Sequence, residues 1–151
     1  MTSNNTFYLY ASVMLLAGLG IPIMAALNGG LGTRLQNPAL ATTILFAVGG
    51  LLSIIYLFVS GNLPKAVPQD IPVYFYFGGA FVIFYILTIT WIAPRFGVGN
   101  AITFVLLGQI FSMAAIDHFK LLGAPHNPVS LMRFVGLALM VVGVFLAVRR
   151  A

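Results

Sequence analysis

The sequence predicts an all-α, polytopic membrane protein built as a bundle of five transmembrane helices, and three observations carry that reading. Charged side chains are absent from residues 1–33, 35–64, 71–94, 96–116 and 134–148. The nine that exist, Arg34, Lys65, Asp70, Arg95, Asp117, Lys120, Arg133, Arg149 and Arg150, punctuate these apolar runs. A helix rising 1.5 Å per residue crosses the hydrocarbon in roughly 20 residues, which the runs reach or approach. Finally, the chain is 61% hydrophobic and 6% charged, with a mean hydropathy of +1.07, whereas soluble domains carry about 25% charged residues. A membrane also admits closed β-barrels, but barrel strands alternate polar and apolar residues over about 10 positions. Ile44-Leu-Phe-Ala-Val48 and Met113-Ala-Ala-Ile116 are continuous apolar runs, so the spans are helices.

The spans fall at about 7–28, 38–60, 71–92, 97–118 and 131–148, in one membrane domain over residues 1–151. The first is followed by Asn28-Gly-Gly-Leu-Gly-Thr-Arg34, whose glycines weaken the helix and whose Arg34 marks an interface. Pro38 suits the first turn of the second helix, which Gly61-Asn-Leu-Pro64 breaks. Residues 65–70 form a short polar link. The third span opens on Tyr74-Phe-Tyr-Phe77 and closes on Trp91 before Pro94, an arrangement expected of aromatic belts at the two head-group levels. Gly123, Pro125 and Pro128 make a loop after the fourth span. The fifth is short, and Arg133 and Arg149 reach its two interfaces by snorkelling. The N-terminal Met-Thr-Ser-Asn-Asn-Thr6 lacks a basic n-region, so the first span is expected to be permanent rather than a cleaved signal.

Composition excludes several function classes. The net charge of +5 comes from basic residues scattered mostly singly at span ends, a pattern for lipid head groups rather than nucleic acid. There is no cysteine, hence no thiolate metal site. His118 and His126, eight apart, match no metal spacing, and no glycine-rich phosphate fingerprint follows a strand. Asp70 and Asp117 form no evident catalytic dyad. No enzyme activity, cofactor or metal is expected.

Polar residues inside spans are the functional candidates, since an unpaired amide in hydrocarbon costs several kcal/mol. Gln109 is placed near the middle of the fourth span, with Ser112 three residues on and Gly108 leaving space beside that face. It either lines a polar cavity or bonds a neighbouring helix. Asn28 either faces a site with Met24 and Leu31 or terminates the first helix. Tyr85 and Thr88, one turn apart, can satisfy each other locally. Asp117-His118 at the end of the fourth span puts an acid at the negative end of the helix dipole. It reads as an interfacial charge, compensated by Lys120 and His118, or as a gating or proton-sensing pair. Small-residue stripes run along the first helix (Gly18, Pro22, Ala25, Gly29, Gly32) and the fifth (Gly136, Met140, Gly143, Ala147). Such stripes let backbones approach closely in lipid. Either serves intrachain packing, and the second is also a candidate dimer interface, because five short spans enclose little interior.

Read in order, Ala26-Leu-Asn28-Gly-Gly-Leu-Gly32, Phe46-Ala-Val-Gly-Gly50, Gly78-Gly79, Ala93-Pro-Arg-Phe-Gly97, Gly108-Gln109, Ser112, Asp117-His118-Phe119, Gly123 and Arg133-Phe-Val-Gly136 make nearly the whole chain resemble a short member of the drug/metabolite transporter superfamily. Within it, the chain resembles the YdcZ-like five-helix family. The resemblance implies a half-sized transporter in the inner (plasma) membrane that pairs as an antiparallel dimer and carries a small organic solute by alternating access. It maps the family's Asn and Gln positions onto Asn28 and Gln109, and its Asp-His pair onto Asp117-His118. Met24 stands where such chains often carry glutamine, and the first helix lacks the glutamate of the related small multidrug resistance proteins.

The expected binding side chains are therefore Asn28, Gln109 and Ser112, with Tyr85 in support. Basic residues divide three (Lys65, Lys120, Arg133) against four (Arg34, Arg95, Arg149, Arg150) across the membrane. Orientation follows that bias, so a dual-topology homodimer surrounded by lipid is expected. The alternative is a non-transporting subunit that stabilises or regulates a partner protein.

Overall fold

The computed structural model describes residues 2–61, 70–124 and 126–148, with side chains from residue 6 onward. Five helices long and apolar enough to cross a membrane follow one another: α1 (Thr2–Arg34), α2 (Pro38–Val59), α3 (Gly78–Phe96), α4 (Val98–Phe119) and α5 (Leu131–Val148). A single 3₁₀ turn, Val73–Phe77, leads into α3, and a shorter one, Leu121–Gly123, follows α4. No strand occurs among the described residues. The chain divides into two compact units, residues 1–95 and 96–151. Most of the polar link at 65–70, Pro125, and Arg149 with Arg150 lie outside the described residues.

In the first unit α1 runs past residue 28, the expected end of the first span, to Arg34. Asn28 is thus inside the helix and does not terminate it. The glycines that should weaken this stretch are where it touches its neighbours. A Cβ on Gly29 would lie 3.3 Å from Pro94 Cγ, and one on Gly32 would lie 2.9 Å from Thr90 Cγ2 and 3.4 Å from Pro38 Cα. Close approach of α1 to α3 and to the start of α2 replaces the packing that side chains would give. With Ala25 fully buried, the lower half of the first small-residue stripe is an intrachain contact.

The end of α1 and the start of α2 share one tight turn. Gln36 adopts a left-handed conformation, φ 52°. Its N–H donates to the Thr33 carbonyl and that of Asn37 to the Gly32 carbonyl, the paired bonds that close a helix C-terminus. Asn37 then caps α2, its Oδ1 accepting from Leu40 N at 3.0 Å ahead of Pro38. At the other end of the unit, α3 continues through Pro94 to Phe96, about one turn beyond the expected stop at 92. Proline removes only the bond to the Thr90 carbonyl. Gly97, at φ 92°, then ends the helix.

In the second unit α4 lies against α5. Its buried residues are Ala101 and Ile110 on α4 and Val144 on α5. Lys120, Leu122 and Gly123 all have positive φ, which folds the chain back sharply after α4. Ser130 caps α5, its Oγ accepting from Arg133 N at 3.2 Å. Most large apolar side chains along all five helices are exposed. In lipid that exposure carries no hydrophobic penalty, so helix contacts rest on close packing and hydrogen bonds.

Candidate functional site

The polar centre of the first unit is a pair of side chains one helix apart. Asn28 Nδ2 donates to Thr90 Oγ1 at 2.5 Å, joining α1 to α3. Both residues are buried, at 4% and 1% exposure. The site forms because α1 and α3 meet over glycines, which brings short polar side chains within reach across the contact. Asn28 also lines a hollow of about 230 Å³ with Met24, Leu27, Leu31 and Leu45. Thr90 lines a different one, of about 450 Å³, with Gly32, Thr33, Gln36, Pro38, Pro94 and Arg95. This interhelical pair therefore borders two spaces at once.

Two further hydroxyls in this unit are buried with no hydrogen-bond partner among the described residues, Thr42 Oγ1 on α2 and Tyr85 Oη on α3. Thr42 lines a third hollow of about 310 Å³ with Ala39, Thr43, Phe46, Ile83 and Leu87. An unbonded buried hydroxyl costs about 1–3 kcal/mol, so each is a group ready to meet a ligand or water.

In the second unit Gln109 and Ser112 lie on α4 and are exposed. Neither has a hydrogen-bond partner among the described residues, and neither lines the hollows at Asn28, Thr90 or Thr42. Asn28 and Tyr85 belong to one unit, Gln109 and Ser112 to the other. On α5, Met140, Gly143 and Ala147 line an apolar hollow of about 320 Å³ with Thr103, Leu106 and Ile110 of α4. A Cβ on Gly136 or Gly143 would meet nothing within 4 Å.

Asp117 and His118 hold the loop that joins α4 to α5. Asp117 Oδ2 accepts from Arg133 Nη2 at 2.5 Å, with both side chains about three-quarters buried. Arg133 Nη1 also donates to the Asn127 carbonyl at 3.0 Å, and Asn127 N donates to the Asp117 carbonyl. His118 Nδ1 accepts from Val129 N at 3.2 Å. The compensating cation is thus Arg133, sixteen residues away, rather than neighbouring Lys120. Among the described residues no group of three or more His, Asp or Glu is gathered as a metal site.

The hydroxyl of α3 that meets α1 is that of Thr90, not of Thr88. The signal for Thr90 was position: Ile86, Ile89, Thr90 and Ala93 form the buried face of α3, four residues ahead of a proline.

The profile of a family described as "Putative inner membrane exporter, YdcZ" matches residues 9–146. The chain belongs to the YdcZ family. It is accordingly an inner-membrane protein, and its five apolar helices suit the exporter role that the family's description gives. Comparison with curated proteins and with solved structures gives no significant match.

Proposed function

We propose that this YdcZ-family chain is a half-sized exporter, in which two copies inserted in opposite orientations carry a small, neutral or weakly polar organic solute by alternating access. Oppositely inserted copies create the inverted repeat on which such transport relies, and the near balance of Lys and Arg supports that arrangement. The observation that carries the reading is Gln109. It sits mid-way along α4, exposed and unbonded among the described residues, where hydrocarbon would penalise an amide by several kcal/mol. A second copy and a solute bound between the copies remove that penalty. Asn28, Tyr85, Gln109 and Ser112 are the binding side chains of this proposal. The stripe of Gly136, Met140, Gly143 and Ala147 is its dimer contact, and Asp117 with His118 is its gate, through their hold on the α4–α5 loop.

A thermal-shift screen of the detergent-purified protein against small metabolites and cationic drugs tests the proposal, since selective binding stabilises by RT ln(1 + [L]/Kd). Hits are then followed as flux in proteoliposomes. Gln109→Leu should fold, dimerise and lose both ligand stabilisation and flux. Unchanged binding and transport in that variant would falsify the site. A protein that binds no solute, yet co-purifies stoichiometrically with another membrane protein, would favour the subunit reading instead. C-terminal reporter fusions should be active on both sides of the membrane, and two lysines added to one set of loops should bias insertion. One clean orientation removes the dual-topology homodimer.

A further inference from the structure

We propose that the 450 Å³ hollow at the Arg95 end of the first unit is an oxyanion site, taking a phosphate or carboxylate group. This holds whether or not the chain transports a solute. Its lining is rich in donors that nothing else uses. Arg95 presents five N–H donors in a planar fork, of which one is bonded, Nη1 to the Trp91 carbonyl. Its guanidinium carbon also stands 5.3 Å from the centre of the Trp91 ring. The fork is thereby fixed against Trp91, its remaining donors have no partner among the described residues, and Arg95 is one of the residues that line the hollow. Gln36 brings an amide that likewise has no side-chain partner there, and the closing turn of α1 fixes its backbone. Thr90 Oγ1 already accepts from Asn28, so its own hydroxyl proton is left to give. Thr33 has spent its proton on the Gly29 carbonyl.

The side-chain charges favour an anion, and it is Arg95 that must outweigh the negative ends of α1 and α3 meeting at the hollow. No lining residue is acidic. Of the two acids in the sequence, Asp117 is paired with Arg133 and Asp70 precedes the opposite end of α3. Arg34, in the last turn of α1, adds positive potential two residues from Gln36. A cation that only complements the dipole of α3 needs no hollow beside it. An arginine fork that lines one hollow with several spare donors matches the two oxygens of a carboxylate or phosphate. The volume admits such a group with a few attached atoms. Two sources supply that chemistry, the head group of an anionic lipid and a soluble anion.

Thermal unfolding of the full-length protein in neutral maltoside detergent distinguishes them. The probes are inorganic phosphate against chloride at equal ionic strength, and phosphatidylglycerol against phosphatidylcholine in mixed micelles. Stabilisation by phosphate assigns the site to soluble oxyanions, and stabilisation by phosphatidylglycerol alone assigns it to lipid. Arg95→Gln should weaken the effective probe at least tenfold, Gln36→Leu several-fold, and Arg34→Gln far less than either. Absence of any shift with both probes overturns the proposal. So does loss of the shift in Arg34→Gln as complete as in Arg95→Gln, which would mean a diffuse charge effect. Should Arg95→Gln fail to fold, Gln36→Leu decides, and unaltered binding in that variant overturns the site.

Discussion

Gly32→Ala inserts one methyl group where α1 packs directly against Thr90 and Pro38. The new Cβ would stand 2.9 Å from Thr90 Cγ2, 3.4 Å from Pro38 Cα and 3.6 Å from Ala41 Cβ. Carbon pairs are most favourable at about 3.5–4.0 Å, so Thr90 or the backbone must yield. Thr90 is 1% exposed and its hydroxyl is engaged by Asn28 at 2.5 Å. Rotating its methyl away breaks that bond, and moving α1 loosens the contact with Pro38. Overpacking of this kind costs about 1–3 kcal/mol, against a helix-propensity gain of about 1 kcal/mol for Gly→Ala. A net loss of up to about 2 kcal/mol is expected for Gly32→Ala. Gly30, two residues earlier in the same helix, has no heavy atom within 4 Å of its built Cβ. Gly30→Ala should therefore be neutral or stabilising by up to about 1 kcal/mol. Reversible unfolding by sodium dodecyl sulfate in mixed micelles, followed by far-ultraviolet circular dichroism, measures both. Adding Thr90→Ser, which removes Cγ2 and keeps the hydroxyl, should return most of the stability lost in Gly32→Ala. Equal behaviour of the two glycine variants, or no rescue by serine, would refute the contact.

Asn28→Leu and Thr90→Val should each lower stability by about 1–2 kcal/mol, with a coupling near 0.6–1.7 kcal/mol in the double-mutant cycle; zero coupling would mean the hydrogen bond contributes nothing. Asp117→Asn and Arg133→Gln should each destabilise by about 1–3 kcal/mol and accelerate proteolysis within residues 120–130, with the double variant no worse than either single one. Gly136→Leu combined with Gly143→Leu places its new Cβ atoms clear of other groups in the chain, so helicity should hold; light scattering should nevertheless show a monomer if α5 carries the dimer contact, and a persistent dimer would place that contact elsewhere.

The membrane setting and the number of helices were legible in the chain, because they depend on local quantities. Runs without charge, each near the length of a bilayer crossing, leave the backbone no alternative but to bond within its own helix. The resemblance to YdcZ-like transporters was equally sequence-borne, since it rests on the order of short motifs. Helix ends were less legible. Asn28-Gly-Gly reads locally as a stop, yet α1 continues to Arg34 because Gly29 and Gly32 are pressed against Pro94 and Thr90. Those residues lie more than fifty positions away, so no local rule could weigh them.

Pairing was decided only in three dimensions. The sequence marked Asn28 and Asp117 as polar groups that lipid would punish, without indicating what would satisfy them. Thr90 answers the first and Arg133 the second. Both partners come from a different helix, and their distance depends on how closely the helices approach. The hollow at Arg95 arises in the same way, from a closing turn on α1, a capped start to α2 and the end of α3 converging on one place. Composition and periodicity determine what a segment must avoid in a membrane. Which group relieves it is set by tertiary contact, because a hydrogen bond needs two atoms within about 3 Å, whatever their separation along the chain.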